Sequence, residues 1–229
     1  QINNADSSSL IDQSEAVHMI LENYDEFMPF MSEEFSINPR RSVVESFIPF
    51  FNRLRDELID IDKVDQSIIK EFYSDDSESY NQLNDLLRIF PIYQKLKKEN
   101  NLIDYNDMIL DTFHFLKNDT RLLEEIQLKY RHLIIDEFQD NNYALNEISR
   151  LISKNNKSIT VVGDDDQVIY SFRGANAFNI STFERTYESH HNYKMITLET
   201  NYRSSQPILD LANHSIKQNK ERKEKSLVS

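Results

Sequence analysis

HLIIDEFQD, residues 132–140, runs three apolar side chains, Leu133, Ile134 and Ile135, straight into Asp136, Glu137, Gln139 and Asp140. A short apolar run rich in β-branched residues predicts a strand buried on both faces of a parallel sheet, not an alternating surface strand. Carboxylates do not stay inside such a sheet, so Asp136 and Glu137 are expected to emerge at its carboxyl edge, where open α/β sheets bind ligands. Two adjacent carboxylates there suit a hard divalent cation such as Mg²⁺, which takes oxygen ligands and is commonly shared with phosphates. A solvated strand end or a helix N-cap accounts for a bare Asp-Glu pair as well, so the neighbouring sequence has to decide.

Residues 161–175, VVGDDDQVIYSFRGA, form a second such constellation. A strand over Ile159–Val162 is expected to deliver Gly163, Asp164 to Asp166 and Gln167, followed by Tyr170, Phe172 and Arg173. A third strand, Ile196–Leu198, would deliver LETNYRS with Tyr202 and Arg203. Three parallel strands would then line one edge with carboxylates, an amide and arginines. Nucleotide hydrolysis wants such an edge: carboxylates for Mg²⁺ and water, an amide at the terminal phosphate, an arginine for developing charge. Aromatic rings beside an arginine suit sequence-tolerant base stacking. Taken singly, Tyr170 and Phe172 fit a core and the aspartates fit a solvated turn. His132, His190, His191 and His214 show no metal-ligand spacing.

Outward from these stretches the texture changes. Before about residue 128, segments such as SLIDQSEAVHMILENY, RRSVVESFIPFFNRLRDELI and SYNQLNDLLRIFPIYQKLKKEN space apolar residues by three and four and predict an all-helical unit, broken at Pro29, Asn38-Pro39 and YSDDSES (73–79). IDYNDMILDTFHFLKND and a helix near Arg121–Tyr130 complete it. Beyond it, HLIIDE, SITVVGD and KMITLET alternate with helical NYALNEISRLISK, AFNISTFERTYE and QPILDLANHSIKQ, the pattern of a parallel α/β layer. The expected organisation is a helical subdomain over 1–128, an α/β part over 129–216 and a charged lead-out over 217–229.

Bulk composition narrows the classes. The 229 residues include 14 Phe and 11 Tyr, enough for a core, and 28% charged residues, which argues for a water-soluble chain. No apolar run approaches the roughly 18 residues of a membrane helix. QINNADSSSL lacks the basic and apolar regions of a secretory signal. The absence of cysteine excludes disulfides and thiolate metal sites, and fits a cytoplasmic location. The net charge of −13 is uneven: residues 1–128 hold 26 of the 39 acidic and 12 of the 26 basic side chains. The remainder is near neutral, so the acidic total does not exclude a nucleic-acid groove there. With only two glycines, the chain contains no GxxxxGK[ST] phosphate loop.

Through these residues the chain resembles the UvrD/Rep-like superfamily 1 DNA helicases. IIDEFQD is similar to their motif II, VVGDDDQVIYSFRGA to motif III and LETNYRSSQPIL to motif IV, while SLIDQSEAVHMIL, FFNRLRDELI and NLIDYNDMIL resemble the helical subdomain 1B. The resemblance implies part of a RecA-like P-loop NTPase sheet, motor domain 1A, next to that helical subdomain. It implies ATP and Mg²⁺ as nucleotide and metal, with Asp136 coordinating Mg²⁺, Glu137 as general base, Gln167 at the γ-phosphate and Arg203 stabilising its charge. Tyr202 would stack near adenine, Tyr170 and Phe172 on single-strand bases, and Arg173 would link that surface to the nucleotide cleft. Phe172 stands where many members carry Trp.

The same resemblance sets the expected partners: single-stranded and duplex-junction DNA, translocated 3′ to 5′, and the rest of a helicase, namely a phosphate-loop segment before residue 1 and a second motor domain after Ser229. The sequence therefore reads as an internal piece, inactive alone, with self-association through an open sheet edge as an option. Two other readings stand beside it. One is a catalytically silent DNA-binding module; the other is a Mg²⁺-dependent nuclease using Asp164 to Asp166 with Asp136.

Overall fold

In the computed structural model residues 8–36, 41–155, 158–168, 179–218 and 225–229 are described. In chain order they form strand β1 (Ser9–Leu10), helices α1 (Gln13–Glu22), α2 (Tyr24–Phe27), α3 (Glu33–Ser36), α4 (Arg41–Asp56), α5 (Gln66–Phe72) and α6 (Ser77–Glu99), then strand β2 (Leu102–Ile103). Helices α7 (Tyr105–Asn118) and α8 (Thr120–Lys129), strand β3 (His132–Ile135), helix α9 (Tyr143–Ser153), strand β4 (Ser158–Val161), and helices α10 (Asn179–Tyr187) and α11 (Gln206–Ile216) follow. They group into two compact units, Gln1–Ile126 with Tyr143–Ile152, and Gln127–Asn142 with Ser153–Ser229. The fold class is helical plus a small parallel α/β sheet, as the sequence predicts. No helix among the described residues is long and apolar enough to cross a membrane.

In the first unit, aspartates start the helices. Asp12, Asp65, Asp76 and Asp104 each accept a hydrogen bond from a backbone N–H of the first turn, satisfying a donor that the helix leaves open. The expected break at 73–79 thus ends in the cap of α6, where Ser79 N–H donates to Asp76 at 3.0 Å. Apolar residues at helical spacing then build the core: Val17 and Ile20 of α1, Val44, Phe47 and Phe51 of α4, and Ile89 and Tyr93 of α6 are all essentially buried. Phe35, Phe47, Phe51 and Tyr93 run through it as a chain of rings, the Phe51–Tyr93 centroids 4.9 Å apart. The unit is not purely helical, because β1 and β2 pair in parallel.

A buried ion network fixes α4, α6 and α7 together. Asp104 and Asp107 cap α7 reciprocally, in a capping box. The same carboxylates accept hydrogen bonds from Arg55 Nη1 at 2.7 and 2.6 Å and from Lys97 Nζ at 2.8 and 2.5 Å. Tyr93 donates to Asp104 at 3.1 Å, and Arg55 also donates from Nη2 to Asn52 and from Nε to the Phe51 carbonyl. Burial works against the Asp104 carboxylate, but the Arg55 and Lys97 charges and their hydrogen bonds outweigh it and hold its pKa well below the usual carboxylate range. Burial, and then Asp104, push the Tyr93 phenol far up.

A depressed carboxylate stabilises the fold above its unfolded pKa of about 3.9 and loses that contribution as pH falls through the lower folded value. Asp104→Asn is therefore expected to cost about 2–3 kcal/mol at pH 7. The gap to the native chain should close between about pH 4 and strong acid. Urea unfolding of both chains from pH 7 to pH 2 checks this, and a gap constant with pH would refute it.

In the second unit β3 and β4 pair in parallel over their full length, from His132↔Ser158 to Ile135↔Val161. Two expectations fail here. The strand over Ile196–Leu198 does not form: residues 193–199 carry no strand, and the segment reaches only an isolated bridge between Thr200 and Val228. Met195, Ile196 and Leu198 are 55%, 65% and 75% exposed, so their apolar character does not reflect burial in this sheet. Nor is β3 buried on both faces. Leu133 and Ile135 are half-buried while Ile134 is 72% exposed, because a two-stranded sheet is covered on one side only.

Candidate functional site

The carboxyl ends of β3 and β4 remain joined beyond the strands. Val162 N–H donates to the Ile135 carbonyl at 2.8 Å and Phe138 N–H to the Val162 carbonyl at 2.9 Å. This keeps the chain after β3 beside the chain after β4 and brings Gln139, which also contacts Glu137, against Gly163 and Asp164. Between the two bonds the backbone reverses at Glu137, whose φ of 49° and ψ of 41° are left-handed. That geometry turns both carboxylates out of the sheet, and Asp136 and Glu137 are exposed at its edge. Asp136 Oδ1 accepts from the Glu137 N–H at 3.0 Å, which steadies the reversal.

The turn Phe138–Asp140 is anchored from below. Phe138 is buried against Phe183 of α10, ring centroids 5.6 Å apart and edge to face. Asn179, at the start of α10, donates to the Asn141 carbonyl at 2.7 Å and reaches the Phe138 and Gln139 carbonyls at 3.3 and 3.4 Å. These bonds satisfy buried carbonyls that no strand partner reaches. Gln139 is 2% exposed and its side chain lies between Glu137 and Asp164.

After β4, Asp164 caps the short 3₁₀ turn Asp165–Gln167. Its carboxylate accepts from the Asp166 N–H at 2.9 Å and from Gln167 Nε2 at 2.8 Å, so the Gln167 amide is held to its own turn. Lys225 Nζ meets Asp164, then Asp165 at 3.0 Å and Asp166 at 3.3 Å. Burial opposes ionisation of both partners, yet the hydrogen bonds between them lower the Asp164 pKa and raise that of Lys225.

Two carboxylate sets could be asked to hold a metal. Asp136 with Glu137 offers exposed oxygen donors at the end of a parallel strand, a donor set that fits a hard divalent ion. Asp164, Asp165 and Asp166 converge within 4.8 Å, the one such group of three among the described residues. There the Lys225 ammonium already supplies the positive charge, so the set does not fit a metal with Lys225 in place. A nuclease built on those aspartates therefore requires Lys225 to leave them.

Tyr202 and Arg203 are exposed, Tyr202 at 95%, on a turn in which the Asn201 side chain accepts from the Arg203 and Ser204 N–H groups at 2.9 and 2.8 Å. The tail supports that turn, since Asn201 N–H donates to the Val228 carbonyl at 2.6 Å. Tyr170, Phe172 and Arg173 lie outside the described residues. Sequence reasoning missed Gln139, Asn179 and Lys225. Only Gly163 signalled the first, as a glycine at the end of a strand suggests close approach of another group.

The model of the UvrD/REP helicase N-terminal domain matches residues 1–188. The chain is 34% identical over 192 residues to the ATP-dependent DNA helicase PcrA of Staphylococcus epidermidis, covering 84% of this chain and 25% of that protein. It is 39% identical over 139 residues to the ATP-dependent DNA helicase PcrA of Staphylococcus aureus, 61% of this chain and 19% of that one. The chain thus spans about a quarter or less of the length of these relatives. With that match running through the strand pair and both acidic turns, the chain belongs to the UvrD/REP helicase N-terminal domain family.

Proposed function

We propose that this chain is part of an ATP-driven motor that moves along single-stranded DNA and separates duplex strands. The observation that carries the reading is the side-by-side placement of Asp136-Glu137 and the Asp164–Gln167 turn at the carboxyl ends of β3 and β4. In this reading Asp136 holds Mg²⁺, which when bound offsets negative charge on the ATP phosphate oxygens. Glu137 takes a proton from the attacking water, a role that its exposed position permits. Gln167 contacts the γ-phosphate, which requires its amide to leave Asp164. Arg203 steadies charge on that phosphate, and Tyr202 stacks against the adenine.

Tyr170 and Phe172 are the proposed base-stacking rings, with Arg173 between them and the nucleotide. Residues 1–128 serve as the helical subdomain, 129–216 as the motor part and 217–229 as the lead-out. The proposed setting is the cytoplasm, with DNA and further helicase domains as partners. An open sheet edge leaves self-association of the isolated chain as a secondary option.

Phosphate release, with and without single-stranded DNA, tests this in the isolated 229-residue chain and in the natural polypeptide that carries it. The chain alone, lacking a GxxxxGK[ST] loop, should not exceed the blank. The natural polypeptide should turn over ATP, faster with DNA, and stop in EDTA. No DNA stimulation there would sink the motor reading. EDTA-sensitive DNA cleavage by the chain would revive the nuclease.

A further inference from the structure

Between the two acidic turns lies a buried amide with a contact at each end. Gln139 Oε1 accepts from the Asp164 backbone N–H at 3.0 Å, and Gln139 Nε2 donates to Glu137 Oε2 at 2.8 Å. The orientation follows from chemistry: a backbone N–H can only donate, so the oxygen must face Asp164 and the NH₂ must face Glu137. With 2% exposure the side chain has little solvent to exchange these partners with. The fit also explains Gly163, where an added Cβ would lie 2.6 Å from Gln139 Oε1. Asn179 braces the backbone of the same turn.

We propose that Gln139 is a positioning residue, holding the Glu137 carboxylate in place and tying it to the turn that carries Gln167. The proposal rests on the reading of Glu137 as general base. The amide makes one rigid link of two groups that otherwise sit on different loops, so a shift of the Asp164–Gln167 turn pulls on the Glu137 carboxylate. A DNA-driven movement of that turn would thereby reach the water-activating group through one side chain.

Two substitutions in the natural polypeptide separate the possibilities. Gln139→Met keeps length and volume without either polar end. Gln139→Glu keeps an oxygen for the Asp164 N–H and sets a carboxylate against Glu137. In both, kcat for ATP with DNA should fall about ten- to a hundredfold with little change in KM, as misplacement of a reacting group predicts. The ratio of turnover with DNA to turnover without it should fall toward one, a readout that a loss of folded protein leaves unmoved. Glu137→Gln serves as the reference. If it retains turnover, the base assignment fails, whatever Gln139 does. If it abolishes turnover while both Gln139 variants keep kcat and the DNA ratio, the positioning role alone fails. Absence of a cooperative melt in both Gln139 variants would also overturn the proposal, because the residue would then be needed for folding.

Discussion

Arg55→Ala is expected to destabilise the helical unit by about 3–5 kcal/mol, the cost of breaking a buried ion pair from one side. The guanidinium is 2% exposed and serves Asp104, Asp107, Asn52 and the Phe51 carbonyl at once. Its removal leaves two buried carboxylates with Lys97 as their remaining cation, and leaves a cavity beside Tyr93. Lys97 cannot compensate fully: loss of the Arg55 charge lifts one cause of its lowered pKa, but burial still opposes its ionisation and one ammonium then faces two carboxylates. A loss of several kcal/mol is a large share of the roughly 5–15 kcal/mol that holds a domain together. Urea unfolding monitored by far-ultraviolet circular dichroism measures it. A loss under about 1 kcal/mol would mean that the network behaves as a solvated surface cluster.

Glu137→Gln is expected to lower kcat for ATP hydrolysis by the natural polypeptide about 10²- to 10⁴-fold, the usual worth of a positioned general base. The substitution is nearly isosteric, and its amide oxygen can still accept from Gln139 Nε2, so the turn keeps its shape. ATP affinity should hold, because in the proposed role the carboxylate acts on water and not on bound phosphate; equilibrium binding of a fluorescent ATP analogue checks that half. Turnover within about threefold of the native rate would assign the base elsewhere.

Much of this architecture was legible in the chain because it is local. The helices of the first unit follow three-and-four spacing, and β3 and β4 follow short β-branched runs ended by polar residues. What was not legible depends on distant partners. Ile196–Leu198 has strand composition, but a strand needs a neighbour to accept its backbone bonds, and composition does not name one. Arg55 finds Asp104 and Asp107 across 49 and 52 residues, and nothing near Arg55 marks it as buried. Gln139 looks like one more polar residue after a strand until Asp164, 25 residues on, is seen to donate to it. Asp136, Glu137, Asp164 and Gln167 were readable as candidates because they lie within a few residues of the ends of apolar runs. Lys225 was hidden in a charged tail that resembles any solvated helix end.

The reversed backbone at Glu137 has an evolutionary meaning. Left-handed geometry disfavours a side chain with a Cβ by about 1–2 kcal/mol, and glycine would relieve it. Selection for durability alone would therefore drift toward glycine here and discard the carboxylate. On the proposed role of Glu137 as general base, glutamate at this position trades thermostability for chemistry, as strained residues at working sites commonly do. Stability-guided redesign of this chain would then find one of its most tempting substitutions at the proposed general base.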